Sequence, residues 1–426
     1  MRMRVLATLA AALSVVLQLD AASLVVGKPE EAGFSRERLA RVTEAVKRHL
    51  DAGSPSGAVT LVARRGKIVH LEAHGLMDVE SKKPMPKDGI FRLASTSKPI
   101  TAAAVLMMVE EGKVRLTDPV SRFIPEFKGM KVAVPKPGSA AAPAGGAGGR
   151  RGGPPPEFDT VPASREITVR DLLTHGSGLL SGGLGNSLAP RREPNDTLAT
   201  YIPKLGAVPL DFQPGTLWRY SGQAGFDVLS RIVEIASGLP FDRFLRERLF
   251  GPLGMKDTGF FALPDKAARL VTLYQRTPAG VLERSQNQTG LSSTTYFAGS
   301  GGMVSTAEDY ARFAQMMLNG GELDGRRYLG PRTVQMMITN HTGDLVNGQF
   351  GRPARGMGFG LGVQVNEDPA ASGLPQSKGA WGWAGGFGTN FNVEPAEQMV
   401  TVVFIQTPNG ALQRDVETAI RQAIID

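Results

Sequence analysis

Ser95-Thr96-Ser97-Lys98 is the segment whose residue types and spacing could do nucleophilic chemistry. A serine hydroxyl attacks well only when a neighbouring group takes its proton. A lysine three places on along a helix shares its face and can reach the hydroxyl. The S-x-x-K pattern occurs once in the chain. About one such match arises by chance at this length and composition, so its surroundings decide. Phe91-Arg92-Leu93-Ala94 reads as a short strand and Pro99 to Glu110 as a helix, which places Ser95 at a strand-to-helix junction. Pro99 falls near the first turn, where a missing N–H costs little. Ile100 to Val109 is apolar almost all round, the pattern of a buried helix. Burial strips a lysine of hydration, lowers its pKa and suits it to act as a base or proton relay. The plainer alternative is an ordinary N-cap serine.

Other chemistries find little footing. Cysteine is absent, which removes thiol nucleophiles, disulfides, Cys-ligated zinc and iron–sulfur clusters. No G-x-S-x-G, G-x-x-x-x-G-K-[ST] or H-E-x-x-H occurs. Two groups of histidines remain. His70, Glu72 and His74 alternate along a predicted strand and share one face. They could hold a metal, but a flat strand rarely converges on a tetrahedral ion, and a solvated hairpin face is the preferred reading. His175 ends a predicted helix, Val169–Thr174, before Gly176-Ser177-Gly178. A histidine there interacts favourably with the helix C-terminus, so a structural role is preferred to a catalytic one.

The stretch Phe91 to Phe127, above all Leu93-Ala-Ser-Thr-Ser-Lys-Pro-Ile-Thr101 and Leu116-Thr-Asp-Pro-Val120, resembles the serine β-lactamase and penicillin-binding-protein superfamily. It is most similar to the class C-like branch that includes family VIII carboxylesterases. Ile167-Thr-Val-Arg-Asp-Leu-Leu-Thr-His-Gly-Ser-Gly-Leu179 and Phe250-Gly-Pro-Leu-Gly-Met-Lys-Asp-Thr-Gly259 support the similarity, which covers nearly all of residues 30–425 apart from a Gly/Pro-rich insert. The resemblance implies a β-lactamase/transpeptidase-like mixed α/β fold, with an antiparallel sheet flanked by helices plus an all-helical lobe. It also implies further site residues. The family's Tyr-x-Asn is matched by Tyr220-Ser221-Gly222, where the tyrosine would take the Ser95 proton and Gly222 supplies no amide. A packing tyrosine is the alternative. The Lys-Thr-Gly motif is missing, and Trp383-Ala384-Gly385 stands in its place. A Trp-x-Gly version is typical of esterase-like members. Trp383 would offer substrate a flat apolar surface where a lysine would bind a carboxylate. A core aromatic beside Trp381 is the alternative. Gly385 and Gly386 would let the substrate carbonyl approach the backbone, with the Ser95 and Gly386 N–H groups as the oxyanion hole. The function implied is a serine hydrolase that cleaves small esters through an acyl-enzyme. β-Lactamase or D-amino-acid peptidase or amidase activity, and a catalytically silent cell-wall-peptide binder, are the alternatives. No cofactor is implied.

These residues need a frame. Ser35 and the spacing of Leu39, Val42 and Val46 predict a capped helix over 35–49. Gly57–Ala63 and Lys67–Glu72 read as a hairpin turned at Arg65-Gly66. Phe359–Val365, Phe387–Val393 and Met399–Ile405 read as strands, and Leu412, Val416, Ile420 and Ile424 mark a closing helix. Strands at both chain ends predict one antiparallel sheet with helices on it. The helical middle, about 96–320, forms a lobe, with a cleft between the two.

The chain has 426 residues, 42% of them hydrophobic, enough for a sizeable core. Its net charge of +8 is scattered without a basic block, and no nucleic-acid partner is expected. Met-Arg-Met-Arg, an apolar run from Val5 to Leu19 and Ala21-Ala22-Ser23 read as a signal peptide over residues 1–23. The hydrolase domain would then be 24–426, exported to the periplasm or secreted, with no stable membrane span after processing. An uncleaved anchor is the alternative, because Asp20 crowds the cleavage pattern. Residues 135–156 hold six Pro and seven Gly in 22 positions and no large apolar side chain. They read as a disordered surface insert, since they cannot offset their ordering entropy. The oligomeric state is not legible.

Overall fold

A computed structural model describes residues 23–137, 157–292, 294–346 and 355–426. The expected signal segment, apart from Ser23, and nearly all of the expected insert lie outside these residues. The chain enters through α1 (Arg36–Asp51), whose cap is the expected one: Ser35 Oγ accepts from the Arg38 N–H at 3.3 Å. The hairpin β1 (Gly57–Arg64) and β2 (Lys67–Asp78) follows. Arg65 and Gly66 between them both have positive φ, 53° and 73°, the twist a two-residue hairpin needs. The lobe then contributes α2 (Ser97–Glu110) and α3 (Ala224–Ser237), while α4 (Ala307–Leu318), from the end of the expected helical middle, packs on the sheet instead. The chain returns through β3 (Met357–Phe359), β4 (Gln364–Asn366), β5 (Trp381–Ala384), β6 (Asn390–Glu394), β7 (Met399–Ile405) and α5 (Gly410–Gln422).

One nine-stranded sheet joins the two ends. Its path runs Val25–Val26, β2, β1, β7, β6, β5, β4, β3, with Lys83–Pro84 pairing on β2. Neighbours are antiparallel except for Val25–Val26, which runs parallel to β2. Every residue of β1 and β7 is buried, so these strands are covered on both faces. Alternation sorts their side chains. Ala58, Val62, Met399 and Val403 pack with α1 and α5, while Val59, Leu61, Val400, Val402 and Phe404 join α4 and the lobe. Each such valine or leucine contributes about 1.5–3 kcal/mol by leaving water.

Two expectations need correction. Phe359–Val365 is not one strand: Gly362 at φ 84° turns the chain, and β3 pairs back on β4. The insert's first residue, Pro135, belongs to a ribbon, Lys131–Pro135 with Phe158–Pro162. The Lys136 N–H meets the Glu157 carbonyl at 3.0 Å, so the two ends of the insert are held together. Among the described residues, no helix is long and apolar enough to cross a membrane.

Candidate active site

Ser95 sits on a single 3₁₀ turn, Ala94–Thr96, that runs straight into α2. The preceding residue, Ala94, is left-handed at φ 46°. A non-glycine residue holds that conformation only when its surroundings enforce it. Here they do. The Leu93 N–H donates to the Met303 carbonyl at 2.9 Å, and the Met303 N–H donates to Ser97 Oγ at 3.3 Å. The Leu93 carbonyl accepts from Thr96 Oγ1 at 2.7 Å and from Thr389 Oγ1 at 2.8 Å. The turn that carries the hydroxyl is thus tied to the lobe on one side and to the sheet on the other.

Lys98 is fully buried. Its Nζ lies 3.3 Å from Ser95 Oγ, 2.8 Å from the Gly222 carbonyl and 2.7 Å from the Ser300 carbonyl. An ammonium there has an acceptor for each of its three protons. Tyr220 arrives from the irregular segment before α3 and places its hydroxyl 2.6 Å from Ser95 Oγ. Its ring lies 4.9 Å from Lys98 Nζ. The structure therefore brings Ser95, Lys98 and Tyr220 to one point, with Gly222 contributing its carbonyl where an Asn would contribute an amide.

Behind Lys98 stands a buried network that sequence reasoning missed. Asp227 on α3 accepts from the Ser300 N–H at 3.0 Å and from the Tyr296 hydroxyl at 2.9 Å. Burial pushes its carboxyl up, against the opposing pull of the Ser300 and Tyr296 bonds and the Lys98 charge. Burial and the adjacent Asp227 likewise push the Tyr296 phenol up. The carboxylate fixes the loop whose Ser300 carbonyl holds Lys98. None of these residues lies in a motif, so only their meeting in space reveals them.

Trp383 is 4% exposed, with its ring 5.6 Å from the Tyr220 ring and edge-on to Phe359 at 5.2 Å. It is both a core aromatic and a wall of the site. Its strand β5 is not outermost, because β4 pairs with it. That pairing covers only Trp381 and Gly382, so Trp383 and Ala384 run past its end. Gly385 follows, where a Cβ would meet the Leu93 carbonyl at 2.2 Å and Thr389 Oγ1 at 2.3 Å. Gly386 is exposed and faces open space.

The histidines fall elsewhere. His70 is 8% exposed and bonds Thr60 Oγ1 at 2.7 Å, so the expected solvated face is wrong for it. Thr43 of α1 reaches Glu72, which shows why: α1 covers that face. Glu72 pairs with His74 at 2.8 Å, and no cluster able to hold a metal occurs among the described residues. His175 is buried beside Tyr220, with ring centroids 4.6 Å apart.

The beta-lactamase family model matches residues 42–424. The chain belongs to that family. It is 36% identical over 369 residues to protein Rv1367c of Mycobacterium tuberculosis, covering 84% of this chain and 87% of that one. It is 31% identical over 398 residues to esterase EstB of Burkholderia gladioli, covering 86% and 90%. Among solved structures, EstCE1, titled a hydrolase with promiscuous acyltransferase activity, superposes with a TM-score of 0.73 at 28% identity, covering 90% of this chain and 99% of that one. The protein is a serine hydrolase of the β-lactamase and penicillin-binding-protein superfamily, with relatives on its esterase-like branch.

Proposed function

We propose that this hydrolase cleaves small neutral carboxylic esters through an acyl-enzyme on Ser95. The observation that carries the reading is the contact of Tyr220 hydroxyl and Ser95 Oγ at 2.6 Å, with Lys98 Nζ 3.3 Å from Ser95 Oγ and 4.9 Å from the Tyr220 ring centroid. Tyr220 acts as the phenolate, its negative charge compensated by the Lys98 ammonium beside its ring; Ser95 Oγ bonds to the ester carbonyl carbon as its proton passes to that oxygen, leaving Tyr220 a neutral phenol. The oxyanion forms toward the backbone N–H groups of Ser95 and Gly386. The same proton then goes to the leaving alkoxide as its C–O bond breaks. Water repeats the sequence on the acyl-enzyme, returning the acid and free Ser95.

The neutral-ester preference rests on Trp383, which stands where a carboxylate-binding lysine would be. Esterase EstB among the relatives agrees with it. One observation favours the second reading, a carboxylate-bearing β-lactam or D-Ala peptide. A cavity of about 400 Å³ is lined by Arg191, Arg192, Glu193 and Pro194 from one segment and by Thr294 and Tyr296 from the segment that leads to Ser300. The Arg192 guanidinium lies 4.3 Å above the Tyr296 ring and could meet such a carboxylate. A panel of p-nitrophenyl esters of graded chain length, with nitrocefin and a D-Ala-D-Ala peptide beside it, decides between them. Neutral esters turning over at least tenfold better in kcat/KM support the first reading. The reverse order supports the second. Export, inferred from residues 1–23, is tested by fractionating cells that express the full chain.

A further inference from the structure

His175 meets the segment carrying Tyr220 at three points. Its carbonyl accepts the Arg219 N–H at 3.3 Å, and its Nδ1 accepts the Ser221 N–H at 3.3 Å. One residue thus holds the backbone immediately before and immediately after Tyr220. Its ring also packs against the Tyr220 ring, centroids 4.6 Å apart, and against Phe226 and Phe359 at 5.4 Å and 5.2 Å. This bracket matters because residues 217–220 belong to no helix or strand. Regular hydrogen bonding therefore does not fix the tyrosine.

His175 is itself held in an uncommon state. Its backbone is left-handed at φ 59°, and it is 1% exposed. Next to it, the Gly176 carbonyl accepts the Gly215 N–H at 2.8 Å, and the Gly178 carbonyl accepts the Asp211 N–H at 2.8 Å, so the two segments run together. Burial and the Lys98 charge both push the imidazole well below its ordinary pKa, which keeps it neutral. With Nδ1 accepting, the proton resides on Nε2, which has no hydrogen-bond partner among the described residues. A buried N–H without an acceptor costs stability. Filling the core calls for no ring nitrogen, so packing alone does not account for the orphaned donor.

We propose that His175 is a positioning residue for Tyr220: it clamps the backbone on both sides of the tyrosine and supports its ring, so that the phenol oxygen stays at hydrogen-bonding distance from Ser95. This rests on the role given to Tyr220 above. Displacing a proton-transfer partner by about 1 Å costs on the order of 10²-fold.

The test is a double-mutant cycle read by kcat, KM and the rate of Ser95 acylation by an activated p-nitrophenyl ester. His175→Phe keeps the ring and removes the Nδ1 acceptor. His175→Asn keeps an acceptor and tolerates the left-handed backbone. The expected result for His175→Phe is a fall of 10- to 100-fold in kcat with KM within about twofold, and a partial rescue in His175→Asn. In the Tyr220→Phe background, His175→Phe should cost less than about twofold more, because its route to the reaction is gone. The same loss in both backgrounds overturns the proposal and leaves His175 a packing residue. So does wild-type kcat in a folded His175→Phe protein. If His175→Phe does not fold, the cycle is run with His175→Asn, for which an equal loss in both backgrounds again overturns it. Failure of the parent reading looks different: Ser95 is then not acylated in the wild type, or Tyr220→Phe alone has no effect.

Discussion

Gly385 and Gly386 are adjacent and chemically identical, yet the structure assigns them opposite tolerances. A Cβ on Gly385 would lie 2.2 Å from the Leu93 carbonyl oxygen and 2.3 Å from Thr389 Oγ1, whereas real Cβ atoms keep at least 3.0 Å. The backbone must separate by the difference, 3.0 − 2.2 = 0.8 Å. Both obstacles belong to the clamp on the turn that carries Ser95, where Thr389 Oγ1 donates to the Leu93 carbonyl. The separation therefore falls between Ser95 and the β5 end that carries Trp383 and Gly386. Overpacking of this kind costs about 1–3 kcal/mol of stability. A shift approaching 1 Å at a reacting centre costs on the order of 10²-fold in rate. Gly385→Ala should therefore lower kcat/KM and the Ser95 acylation rate by about 10²-fold while the protein stays folded. Gly386→Ala meets nothing within 4 Å and keeps its N–H, so its melting temperature should match the wild type. Steady-state kinetics on a p-nitrophenyl ester, with thermal melts of both variants, reads the contrast. A fully active Gly385→Ala protein would refute the placement of β5 against the Ser95 turn.

Asp227→Asn removes the buried carboxylate behind Lys98 and leaves the Tyr296 hydroxyl or the Ser300 N–H poorly matched. Losing a charge-assisted bond costs about 1.5–3 kcal/mol; denaturant unfolding should show a drop of that size, with kcat falling, and an unchanged protein would contradict the network. Trp383→Lys should raise activity on anionic β-lactams relative to neutral esters by roughly 10–150-fold, less at high salt. A wild type that already prefers β-lactams, with the preference weakening in salt, would instead assign the carboxylate to another cation such as Arg219 or Arg192. His70 is pushed down to about 4, chiefly by burial, so the folded state favours its neutral form. Its contribution is therefore complete above pH 6.5 and lost as pH falls toward 4, amounting to about 3 kcal/mol. The wild type should lose that much more stability than His70→Gln between pH 7 and pH 4; parallel pH profiles would contradict it.

What the sequence disclosed divides along physical lines. α1 and α5 were legible from their helical period, and β1, β2 and β7 from short β-branched, apolar runs, with Ser35 and Arg65-Gly66 marking boundaries. The Ser95–Lys98 pair was legible because both partners sit within one helical turn. Tyr220 and Trp383 could be placed only through family resemblance, since no local pattern ties them to Ser95. Asp227, Tyr296, Ser300 and Thr389 were illegible, because their meaning lies in contacts between distant segments. The solvated reading of His70 failed for a related reason. Alternation shows that two faces differ, but not which one a helix will cover. Phe359–Val365 was read as one strand because its apolar run hid the turn at Gly362.

Covalent labelling asks of the protein itself whether Ser95 is the nucleophile. A fluorophosphonate probe should modify the protein once, on the peptide containing Ser95, with Ser95→Ala unlabelled, inactive and folded. Retained labelling or turnover in Ser95→Ala would contradict the account.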